Sequence, residues 1–141
     1  MPAETYIAKT IENARDAIAS HVRWKIALML AVRMREPLSK RATRSIEHPE
    51  ECSIGIWLLS EQTLPLRSRP EYRTTCEQHT AFHGLMRGIA KLIHGGEYER
   101  AEELINAAEP FQNASIALAN AIMALDRISV GKPLPLFSPR K

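Results

Sequence analysis

Cysteine is scarce in this chain of 141 residues, with only two, and aromatics make up 6%. Two thiols cannot build the crosslinked lattice of a small secreted scaffold, so the fold must rest on a buried apolar core. A chain of this length can form one without many crosslinks. No uninterrupted apolar run comes near the length needed to span a bilayer, which excludes membrane insertion by a helix. The start lacks the basic–apolar–small order of a secretory signal, so a cytoplasmic location is expected. There, a thiol used for metal or redox chemistry is expected over a stable disulfide. Charge of one sign is also missing: 19 basic and 16 acidic residues leave +3, and they are interspersed. The densest basic patch, Lys40-Arg41 with Arg44, could touch an anionic surface but reads as a solvated loop. No zinc-finger, helix-turn-helix or base-stacking pattern accompanies it, so no nucleic-acid partner is expected. Internal repeats, low-complexity tracts and a convincing strand pair are absent too.

What the sequence has is helical periodicity. The apolar fraction is 45% and the charged fraction 25%, ordinary for one globular domain. From about residue 4 to 35, Ile7, Ile11, Ala14, Ile18, His21, Leu28 and Val32 recur at three and four. Lys25 breaks this stripe and Trp24 widens it. Pro37 stops the helix. The polar stretch from Leu38 to His48 reads as a loop. Pro49 suits the first turn of a short helix running through Trp57 to about Ser60, with Glu50 and Glu51 facing its positive end. Pro65 and Pro70 bracket another loop. A long helix is predicted from Pro70 to His94, with Tyr72, Cys76, His79, His83, Met86, Ala90 and Ile93 on one face. Gly95-Gly96 ends it. A last helix is predicted from about Glu97 to Ile128, kinked or interrupted at Pro110. The sum is an all-α, four-helix-type bundle, with one short helix and long flanking helices. It occupies residues 1–128, with a proline-rich tail over 129–141.

The chemistry lies in three strings. His79 and His83 stand one turn apart on the same helix face, so their rings can grip one ion. Both lie on the apolar side, where an unpartnered imidazole is costly. The alternative is two satisfied core or surface histidines. His21 lies on the inward stripe of the first helix, as a ligand or as a buried hydrogen-bonded ring beside Trp24. Cys52 falls in the first turn of the short helix, where free backbone N–H groups favour a thiolate. It could equally be a small buried hydrophobe. Gly55 lets another helix approach closely. Together the residues offer three imidazoles and one thiolate, a complete tetrahedral zinc set with no obvious open position for a substrate. Cys76 shares the face of His79 and His83 and could replace Cys52, join a site with His94, resolve an oxidised Cys52, or simply pack. His94 lies about 16 Å along the axis from His83, too far to share an ion. His48 is expected to face solvent.

The strings His21-Val-Arg-Trp24, Cys52-Ser-Ile-Gly55-Ile-Trp57 and His79-Thr-Ala-Phe-His83 resemble the zinc-binding CZB domain of bacterial chemoreceptors and diguanylate cyclases. The resemblance covers roughly residues 5 to 128. It implies that His21, Cys52, His79 and His83 bind zinc in a helical bundle, commonly a homodimer, and it gives Cys76 no ligand role. It also implies regulation of an output domain by zinc or by oxidants such as hypochlorous acid. No such domain is expected to follow here; Leu125–Pro135 faintly resembles the entry to a cyclase catalytic domain and stops almost at once. A stand-alone regulator, working through a separate chemoreceptor or cyclase, and an excised fragment are both compatible with that.

The functional expectation is therefore a zinc-binding sensory domain, not an enzyme. A structural zinc protein is the rival of the same class. A metalloenzyme would need an open coordination position and a nearby base, and Glu77 points off the His79/His83 face. A diiron carrier would need bridging carboxylates, and Glu12, Glu61 and Glu77 form no inward set.

Overall fold

The structure, a computed structural model, describes residues 13–130. Helix α1 spans Ala14–Met34. Asn13 caps it, its side chain accepting the Asp16 N–H at 2.9 Å, which satisfies one of the free donors of the first turn. Ala17, His21, Trp24, Leu28 and Val32 are buried, as their spacing predicts. Lys25 escapes the core by reaching the Gln112 side chain at 3.2 Å. Arg35 closes the helix in the left-handed region, at φ 53°, and Pro37 blocks continuation. The expected first turns, residues 4–12, lie outside the described residues.

The stretch Leu38–His48 is not the predicted loop. Lys40–Glu47 forms helix α2, with Ser39 as its cap, accepting the Ala42 N–H at 3.0 Å. Its apolar content is slight but correctly spaced: Leu38, Ala42 and Ile46 are all buried, each four residues from the next. Three anchors on one face dock a helix whose remaining surface is charged; polarity over the whole stretch hid that spacing.

The next predicted helix is two pieces. Pro49–Glu51 is a single 3₁₀ turn and Ser53–Leu58 is helix α3, separated by extended backbone at Cys52. A second 3₁₀ segment, Glu61–Leu66, fills the linker before Pro70. Helix α4 spans Pro70–His94, as predicted, and Gly96 turns the chain at φ 79°. Helix α5 is Tyr98–Asn106 and α6 is Asn113–Val130. Between them Glu109 leaves helical geometry, at φ −115° and ψ 136°, just before Pro110. The interruption expected at Pro110 is thus a full break. Residues 131–141 of the predicted tail lie outside the described residues.

Among the described residues there are helices and no strands, the all-α bundle that periodicity predicts. It has two short helices, α2 and α3, where one was expected. Helix α4 lies along α6 and α5, and α1 closes over both. Leu28, Phe82, Met86, Phe111, Leu118 and Ile122 fill the space between, each worth about 1.5–3 kcal/mol of apolar burial. Helices α2 and α3 pack across α4 and α1, carrying residues 46–58 onto the part of α4 that bears the two histidines.

Candidate metal centre

Cys52 is the cap residue of α3, one position before the helix rather than within its first turn. Its sulfur accepts the Gly55 N–H at 3.4 Å. Gly55 is required there: a Cβ would lie 1.9 Å from the Pro49 carbonyl oxygen. What it admits is the preceding 3₁₀ turn, not another helix. The turn and α3 form a tight bend that aims the Cys52 sulfur at α4.

On α4, His79 and His83 stack one turn apart, their ring centroids 4.6 Å from each other. The Cys52 Sγ is 3.2 Å from His79 Nε2. One donor atom from each of Cys52, His79 and His83 lies within 4.8 Å of the other two, and all three residues are buried. Donors around a tetrahedral zinc at ordinary bond lengths stand roughly 3.3–3.7 Å apart. The Cys52–His79 separation of 3.2 Å is close to that spacing.

His83 Nδ1 lies 2.9 Å from the Ile46 carbonyl. A carbonyl can only accept, so Nδ1 carries the proton and Nε2 keeps its lone pair. This is the backbone contact that commonly orients a metal-binding imidazole. Ile46 belongs to α2, so the helix missed from sequence also sets the tautomer of His83.

His21 is buried beside this trio but outside its 4.8 Å grouping. Its Nε2 is 2.8 Å from Ser115 Oγ, its ring meets Phe82 edge-on at 4.6 Å, and its Nδ1 is buried without a hydrogen-bond partner. Ser115, on α6, carried no signal in the sequence.

Burial dominates the electrostatics. It pushes the His79 imidazolium down to about 3, helped by His83 and then His21. It pushes His21 down to about 4, helped by Lys25. His83 is also lowered by burial, against the opposing bond to Ile46. The Cys52 thiol is pushed up to about 11 by burial, which outweighs the Gly55 and Ile54 N–H groups that favour its anion. The thiolate expected from helix position alone is therefore not the resting form of an ion-free site. Neutral imidazoles beside a thiol that needs a cation to ionise suit a divalent metal. No carboxylate among the described residues is buried, so the buried donors are nitrogen and sulfur alone.

The other candidates are elsewhere. Cys76 is half-buried and outside the grouping. His94 is exposed, 3.3 Å from Thr43 Oγ1. His48 is half-buried and groups with the exposed Glu50 and Glu51, but Arg44 already holds the Glu51 carboxylate at 2.7 and 3.0 Å. Glu61 and Glu77 are exposed and Glu12 lies outside the described residues. Among the described residues no helix is long and apolar enough to cross a membrane. No protein-family model, no curated protein and no solved structure matches the chain.

Proposed function

We propose that the chain is a zinc-binding regulatory domain of the CZB kind, with His21, Cys52, His79 and His83 as the ligand set. The observation that carries this reading is the convergence of one thiol and two imidazoles, buried and within 4.8 Å, from segments 27 and 31 residues apart along the chain (79 − 52 and 83 − 52). The unpartnered Nδ1 of His21 supports its membership, since a buried ring nitrogen without a partner is costly. Zinc would supply the positive charge that lets Cys52 ionise among neutral rings. No catalytic step is assigned to the site, whose four donors would fill a tetrahedral shell.

Cys52 makes the site responsive. A two-electron oxidant such as hypochlorous acid converts the Cys52 thiolate to a sulfenic acid and is itself reduced to chloride. The anionic sulfur donor is lost, and the bend over 49–58 loses its hold on α4. That segment then shifts against α1 and α4, giving a second state for a signalling partner, such as a separate chemoreceptor or cyclase, to distinguish. Homodimerisation is part of the proposal. Val22, Ile26, Leu30 and Met34 form an exposed apolar stripe at four-residue spacing along α1, a face suited to a second chain.

Elemental analysis of the purified protein tests the reading. One zinc per chain is expected, lost in Cys52→Ser and His83→Gln and kept in Cys76→Ser. Equal zinc in Cys52→Ser would overturn the assignment. Zinc that stays bound after Cys52 is oxidised would leave a structural zinc protein in place of a sensor.

A further inference from the structure

One apolar cavity lies away from the candidate metal centre. It is an open groove of ≈ 380 Å³ between α4, α5 and the break before α6, within the size range of small-ligand pockets. Ile89 and Phe111 form its buried floor, Gly84 and Gly88 open one wall, and Lys91 and Arg100 stand at its edge. We propose that this groove binds a small anionic amphiphile, an acyl chain of medium length ending in a carboxylate.

Two independent observations lead there. The first is the pair of helix glycines. Glycine inside a helix costs about 1 kcal/mol relative to alanine, so two on one face of α4 need a reason. Packing among the described residues supplies none: a Cβ on Gly88 would meet none of their atoms within 4 Å, and one on Gly84 only the Arg87 guanidinium at 3.7 Å. Among the described residues nothing fills the space they leave. The second is charge. The lining contains two cations and no acid. Among the described residues no carboxylate pairs with Lys91 or Arg100. An apolar floor with unpaired cations at the edge complements a hydrocarbon body with an anionic end.

The charge of the chain's own tail does not complement these cations. Residues 131–141 carry Lys132, Arg140 and Lys141 and no acid. The proposal does not depend on zinc, and its test reads ligand binding directly.

Decanoate is the probe, with decanol as its uncharged counterpart, titrated into the full chain and followed by calorimetry and by amide shifts in NMR. Saturable binding of one decanoate per chain is expected, with shifts centred on residues 84–92 and 100–111. Gly88→Leu adds bulk to the groove at a position where a Cβ meets no described atom within 4 Å, and should weaken decanoate at least about tenfold. Lys91→Gln with Arg100→Gln should weaken decanoate about tenfold and leave decanol nearly unchanged. Melting by circular dichroism verifies that each variant is folded. No saturable binding, or equal binding by a folded Gly88→Leu chain, overturns the proposal. A Gly88→Leu chain that loses self-association while the wild type ignores decanoate also overturns it, assigning the groove to a second copy.

Discussion

Nδ1 of His83 and the carbonyl oxygen of Ile46 are 2.9 Å apart, and they join the two parts of the protein that sequence treats as unrelated. One is the long central helix. The other is a short, highly charged helix whose buried Ile46 is fully excluded from solvent. The bond fixes which nitrogen of His83 is free. In ion-free protein at pH 7, ¹⁵N spectra should show His83 protonated at Nδ1 and not at Nε2. The opposite tautomer would break the link between α2 and the site.

Ile46→Ala should destabilise the protein by about 2–5 kcal/mol, because the residue lies in the core and leaves a cavity. Denaturant unfolding measures this. A loop at 38–48, as sequence suggested, would tolerate the change with little loss. Ser39→Ala should cost about 1 kcal/mol through the lost cap.

Gly55→Ala places a methyl 1.9 Å from the Pro49 carbonyl, so the bend carrying Cys52 must open. A loss of about 1–3 kcal/mol is expected from overpacking. Zinc content should fall as the Cys52 sulfur moves away from His79. Unfolding curves and metal analysis on the same sample separate the two effects.

Acid should destabilise the ion-free protein. His21 has a pKa of about 4 when folded, against an ordinary 6.5. Between these values the unfolded chain binds a proton that the folded chain refuses, so stability falls as pH drops from about 6.5 towards 4. The shift corresponds to roughly 3 kcal/mol for this group. Urea unfolding of chelator-treated protein at several pH values should show the slope, and His21→Gln should flatten it.

The two thiols should differ in reactivity. Cys52 is 3% exposed and its thiol is pushed up to about 11, whereas Cys76 is partly open to solvent. Iodoacetamide should modify Cys76 first in ion-free protein at pH 7.5, as read by mass spectrometry of peptides. Faster labelling of Cys52 would mean that the bend opens readily without metal.

Sequence by itself determined the helical class, because apolar residues at three- and four-residue spacing can be buried only by a helix. It also determined the limits of α4, set by Pro70 and Gly95-Gly96, and the pairing of His79 with His83, which needs one turn of helix and nothing else. Tertiary structure alone decided the rest. Helix α2 exists because three anchors find a surface to dock on, and no local pattern reveals that surface. Cys52 sits at a cap, beside His79, because the 49–58 bend folds over Gly55. Ser115 reaches His21 across 94 residues, and the Ile46 carbonyl orients His83. Each of these is a contact between distant segments. Its energy depends on burial and direction, which a residue acquires only when the helices pack.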